Sequence, residues 1–91
     1  MRRIEATTAF RRDFKHQRRG RHRNLDEAIA GIVRMLASDT PLPERQRDHA
    51  LTGNWSGYRE CHVRPNLLLI YEKPEGILRL IRLGSHSELF R

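Results

Sequence analysis

Apolar positions recur along this chain in two rhythms, one in each half. In the first half they fall three and four apart. Phe10 and Phe14 share one face of a helix that Thr7 or Thr8 can cap and Gly20 can end. Leu25, Ala28, Ile29, Ile32, Val33 and Leu36 then follow the period of a second, clearer helix. Asn24 followed by Glu27 predicts a variant capping box at its start, and Asp39-Thr40-Pro41-Leu42-Pro43 stops it. In the second half the rhythm changes to strands. Tyr58 to Val63 alternates, Leu67 to Glu72 is apolar on both faces, and Ile77 to Leu83 is a third strand. The turns Arg64-Pro65-Asn66 and Lys73-Pro74-Glu75-Gly76 are short, which predicts an antiparallel meander with its middle strand buried on both sides. Residues 2–7 predict a short first strand at one sheet edge, 40–57 a long polar loop, and Ser85 to Phe90 a short helix or strand.

Size and composition limit what this pattern can build. The chain has 91 residues, 37% of them hydrophobic, which is enough for one domain spanning 1–91 around one small core. The longest apolar run, Leu67-Leu68-Leu69-Ile70-Tyr71, is of strand length and far short of a membrane span. Met1-Arg2-Arg3-Ile4-Glu5 has no apolar stretch behind it, unlike a secretory signal. A lone Cys61 cannot form an internal disulfide. The expectation is a cytoplasmic protein without a membrane partner. Charge changes the picture most. Lys and Arg total 18 against 11 Asp and Glu, a net +7, and such a domain is drawn to polyanions. Sixteen of the cations are Arg, which forks onto phosphate; a GC-rich genome would be the alternative reason for Arg over Lys, but not for the net charge.

The candidate chemistry lies in the second half. His16 and His22 stand among arginines and read as solvated surface residues. His49, His62 and His86 fall at element boundaries, where sites are usually built. On the strand 58–63, Tyr58, Glu60 and His62 share one face, and Arg59, Cys61 and Val63 the other. An RNA strand carries its own nucleophile, the 2′-hydroxyl. Cleavage needs a base for its proton, an acid for the leaving 5′-oxygen and cations for the phosphorane. Imidazole, whose unperturbed pKa is about 6.5, suits both proton transfers, and Arg suits the charge. Arg59, Arg79 and Arg82 are candidate phosphate ligands. Arg79 and Arg82 have opposite parity in an undistorted strand, and Arg82 is preferred because it is closer to Gly84 and His86. Phe90 can stack on a nucleobase or close the core. The scheme calls for no metal and no cofactor. A three-histidine zinc site is the competing arrangement, but the histidines lack short ligand spacing and arginines crowd them.

The residues from Asp48 to Val63, with Leu69-Ile70-Tyr71 and the stretch Arg82-Leu83-Gly84-Ser85-His86-Ser87-Glu88-Leu89-Phe90, resemble the YafQ-type toxins of the RelE/ParE superfamily. The resemblance covers nearly the whole second half at the expected spacing. It implies a small α+β domain, two N-terminal helices packed on a twisted antiparallel sheet. It also implies the toxin of a type II toxin–antitoxin pair, an endoribonuclease cutting mRNA in the ribosomal A site without metal, held in check by a cognate antitoxin. His49, His62 and His86 fall on the family's catalytic histidines and Phe90 on its functional aromatic. Glu60 stands where the family commonly has Asp, and can still orient an imidazole. Asn66 also stands at a family Asp; it is grouped here with the RNA-contacting residues Arg59, Arg82 and Phe90, since an amide cannot act as a base. Two non-catalytic readings share the charge and the fold: a gyrase-inhibiting, ParE-like toxin, and a degenerate module that only binds RNA or ribosomes.

Overall fold

The computed structural model describes residues 1–20 and 22–90. Its elements are β1 (Arg3–Ala6), α1 (Thr8–Arg19), α2 (Leu25–Ala37), β2 (His49–Ala50), β3 (Arg59–Arg64), β4 (Leu67–Glu72), β5 (Ile77–Gly84) and α3 (His86–Leu89), with single 3₁₀ turns at Glu44–Gln46 and Gly53–Trp55. The α+β class and the two N-terminal helices stand as expected. The strand order is β1-β5-β4-β3-β2. Strands β2 to β5 are antiparallel throughout, but β1 lies parallel to β5, so the sheet is mixed. A short edge strand followed directly by α1 can pair either way, and the apolar pattern does not decide which.

The sheet carries a core on each face. On the helical side Phe10, Leu25, Ile29, Ile32, Val33 and Leu36 pack on Cys61, Val63, Leu67, Leu69, Tyr71, Leu78, Leu80 and Leu83. On the other side Leu68, Ile70 and Leu89 form a smaller cluster, closed by Leu51, Trp55, Tyr58, Ile81 and Phe90. Strand β4 is thus buried on both faces from Leu67 to Tyr71, as its unbroken apolar run requires.

Two local expectations change. Asn24 precedes α2 in the left-handed region (φ 55°) and its side chain caps nothing, so the expected capping box is absent. Asn tolerates that conformation, and here the backbone turn fixes the helix entry instead. The box occurs in α3, where the Ser85 hydroxyl accepts from the Glu88 N–H and the Glu88 carboxylate accepts from the Ser85 N–H. The other change is a β-bulge. Ile70 pairs with Arg82 but Tyr71 with Leu80, which leaves Ile81 as an extra residue. Leu80 and Leu83 therefore both enter the helical-side core, and the simple parity argument for Arg79 and Arg82 does not hold.

Cys61 is fully buried, and desolvation pushes its thiol up to about 12. The folded protein should be inert to iodoacetamide at pH 8 and take up one equivalent in denaturant. Rapid alkylation of the native protein would contradict this placement.

Candidate active site

The site face is the one opposite α1 and α2. Strand β3 presents Glu60 and His62 there, with cross-strand partners Ile70 and Leu68 that belong to the smaller core. This face is covered rather than solvated. Residues 51–58 fold back over it, closed by a hydrogen bond from the Leu51 N–H to the Tyr58 carbonyl of 2.9 Å. Gly53 and Gly57, at φ 64° and 96°, supply the turns that return Trp55 to the sheet. Trp55 meets Tyr58 and Phe90 edge-on, at ring-centroid separations of 5.5 and 5.9 Å.

His49 comes from the long loop, through the two-residue strand β2. It pairs across the ladder with Glu60, and its Nε2 lies 3.0 Å from Glu60 Oε2. Its other nitrogen, Nδ1, is 2.6 Å from the Arg47 carbonyl, which can only accept. The ring is thus held at both nitrogens, between a carbonyl that can only accept and a carboxylate. Glu60 is only 7% exposed, and its second oxygen, Oε1, is buried without a partner.

Asp48, the residue before His49, points the opposite way, as neighbours in extended chain do. It accepts from the Tyr71 hydroxyl and from Arg59 Nε at 3.3 Å, and Arg59 Nε also donates to the Tyr71 hydroxyl at 3.2 Å. Burial, and then the Asp48 carboxylate, push the Tyr71 hydroxyl well above the usual phenol range, so it stays a donor. This triad nails the loop to the sheet on one side while His49 emerges on the other. Nothing in the sequence pairs Asp48 with Tyr71, which lies 23 residues on.

His86 begins α3, and its ring lies 5.1 Å from that of Phe90. Both line a cleft of about 280 Å³ with Leu51, Thr52, Trp55 and Glu60. The structure thus brings Glu60, His86 and Phe90 together in one cleft, while His49 reaches it only through its pairing with Glu60. Phe90 both closes the smaller core and lines the cleft. His62, two residues along from Glu60, lines a neighbouring cleft of about 580 Å³ with Arg45, Gln46, Arg47, Arg64 and Pro65.

The expected phosphate ligands are placed differently. Arg59 faces the helical side and is held by Asp48 and Tyr71. Arg82 grips Asp13 of α1 with Nε at 2.6 Å and a second nitrogen at 3.2 Å. Arg79 bridges Glu5 and Glu72. Arg45 and Arg47, beside His62, form no ion pair among the described residues, and both are exposed. Asn66 sits in the β3–β4 turn and lines a separate hollow with His16, Gln17, His22 and Ser85. His22 is half-buried against Arg64, at 3.4 Å, rather than solvated.

The chain is similar to known proteins along nearly its whole length. The model of the bacterial toxin of type II toxin–antitoxin system, YafQ, matches residues 2–91. The chain belongs to the YafQ toxin family. The mRNA interferase toxin YafQ of Escherichia coli K12 is 35% identical over 87 residues, which are 96% of this chain and 94% of that one. The crystal structure of YafQ from E. coli BL21(DE3) superposes with a TM-score of 0.88 at 35% identity, covering all of both chains. YafQ in the E. coli DinJ–YafQ complex gives 0.87 at 36%, again with both chains fully covered. A metal-bound toxin from Helicobacter pylori gives 0.88 at 40%, covering 99% of this chain and 100% of that one. Among the described residues here, no three His, Cys, Asp or Glu side chains group closely enough to hold a metal ion.

Proposed function

We propose that this YafQ-family chain is a type II toxin that cuts mRNA in the ribosomal A site by acid/base catalysis. The observation that carries the reading is Glu60, which pairs with His49 and lines a cleft with His86, Trp55 and Phe90. The attack is that of the 2′-hydroxyl on its own phosphate, leaving a 2′,3′-cyclic phosphate and a 5′-hydroxyl. His49 and His62 are the base and acid pair, in an order the geometry leaves open. The His49–Glu60 pair can release a proton to the leaving oxygen or take one from the 2′-hydroxyl. Glu60 orients the imidazole, and His86 is a third proton-handling or phosphate-contacting group. All the proton transfers fall to side chains, so the scheme needs no metal. Phe90 and Trp55 offer flat surfaces to a base. A cognate antitoxin, as in the E. coli DinJ–YafQ toxin–antitoxin complex, is the expected protein partner.

Induced expression followed by primer extension tests this reading. The wild type should stop growth and leave cuts in translated mRNA, while His49→Gln, His62→Ala and His86→Ala should do neither. Toxicity retained in all three, or inhibited supercoiling with intact mRNA, would contradict it.

The backbone phosphates are assigned to Arg45 and Arg47, because their charge is uncommitted. Replacing both with Ala should weaken ribosome binding and flatten its salt dependence, by about 0.7 in log–log slope for each phosphate no longer neutralised. Arg59→Ala should leave that slope alone and lower thermal stability. The reverse pattern would return the role to Arg59.

A further inference from the structure

Helix α1 runs along the part of β5 that β1 leaves uncovered. Strand β1 ends at Ala6, opposite Leu80. From there α1 and its cap take over. The Thr7 hydroxyl donates to the Ile81 carbonyl at 2.8 Å, and the Asp13 carboxylate accepts from the Leu83 N–H at 3.0 Å. One turn further, Gln17 Nε2 donates to Glu88 Oε1 at 3.0 Å. Gln17 is 9% exposed and shares with Glu60 the status of buried polar side chain among the described residues. An otherwise basic, solvated helix has no packing need for a buried amide, so the bond it makes is the informative feature.

Glu88 belongs to α3. The oxygen that accepts from Gln17 also accepts from the Ser85 N–H at 2.7 Å, and the Glu88 N–H donates to the Ser85 hydroxyl at 3.2 Å. These contacts, the Ser85 N–H foremost, hold the Glu88 carboxyl below the usual range, so it remains an acceptor. A Cβ on Gly84 would meet Glu88 Oε1 at 3.1 Å and Leu89 Cδ2 at 3.2 Å, which shows how closely α3 sits on the end of β5. α3 is one turn of four residues, and a helix so short has no stability of its own. It carries His86 and is capped by Phe90.

We propose that Gln17 is a positioning residue: its hydrogen bond to Glu88 latches α3 to α1 and so fixes His86 and Phe90 in the cleft. The catalytic consequence rests on the function proposed above; the latch itself does not. His16 adds little, since its 3.8 Å pairing with Glu88 is between exposed groups.

The protein carries its own reporter. Trp55 is its single tryptophan, and its ring meets that of Phe90. Gln17→Glu sets a carboxylate against Glu88. The latch predicts red-shifted Trp55 emission and amide exchange at Leu89 and Phe90 faster by about tenfold or more. It also predicts kcat for mRNA cleavage down about tenfold at nearly constant KM. Gln17→Leu removes the donor without adding charge, and the same readouts should move in the same direction by a smaller factor. If Gln17→Glu does not fold, Gln17→Leu decides alone. Unchanged emission and exchange in the folded variants would overturn the latch. Should the wild type cleave no RNA, the functional reading fails while emission and exchange still decide the latch.

Discussion

His49→Gln is expected to lower mRNA cleavage by about 10²- to 10³-fold, the usual weight of one general acid or base, with the fold retained. Glutamine is the informative replacement because it can still donate to Glu60. It keeps the buried carboxylate partnered and removes only the capacity to titrate. His49→Ala would leave both Glu60 oxygens unmet, since Oε1 already lacks a partner, and would confuse lost chemistry with lost stability. Glu60→Gln should cost a comparable factor, because the amide still accepts from His49 but carries no charge and cannot hold the proton. The two changes should not multiply. If His49 and Glu60 act as one unit, the double variant is about as slow as the slower single one. Multiplicative losses, measured as single-turnover rates on programmed ribosomes, would show that they act separately.

Asp13→Ala is expected to destabilise the fold by about 2–3 kcal/mol, lowering the melting temperature of a domain this size by about 15 °C. Asp13 is the only acid between Glu5 and Asp26, in a helix otherwise crowded with cations. Its side chain is 16% exposed, and it accepts both Arg82 nitrogens and the Leu83 N–H. Its loss leaves a half-buried guanidinium unpaired and an N–H of β5 unmet, and the penalty is that of the orphans more than of the bond. Asp13→Asn, which still accepts, should cost less. Urea unfolding gives the answer, and a loss under about 0.5 kcal/mol would mean that α1 is not fastened at this point.

These two sites show what the chain discloses on its own. The second helix and the meander are legible because each has a strong period and β4 an unbroken apolar run. Glu60 and His62 are legible for the same reason, since alternation alone puts them on one face. The partner of Glu60 is legible only in part. His49 stands out as a loop histidine, but the two-residue strand that aligns it takes its structure from β3. The arginines are placed by partners that the spacing does not show. Proximity to His86 favours Arg82, yet the bulge at Ile81 and the carboxylate of Asp13, 69 residues away, decide where it points. A lone acid in a basic helix is the readable sign that some cation elsewhere is already committed. Ser85 to Phe90 reads as helix or strand when the Ser85-to-Glu88 spacing is left out, and that spacing is the one of the capping box that starts α3. The parallel pairing of β1 has no such sign.

The most direct test of the central claim is cleavage of an mRNA on programmed ribosomes by the purified wild-type protein. The buffer keeps the magnesium that ribosomes need and is stripped of transition metals by a selective chelator. The account predicts a cut within the A-site codon, a 2′,3′-cyclic phosphate on the upstream product, and little cutting of the same RNA without ribosomes. Bound ribosomes with intact mRNA, or activity that vanishes with the chelator and returns with a transition-metal ion, would contradict it.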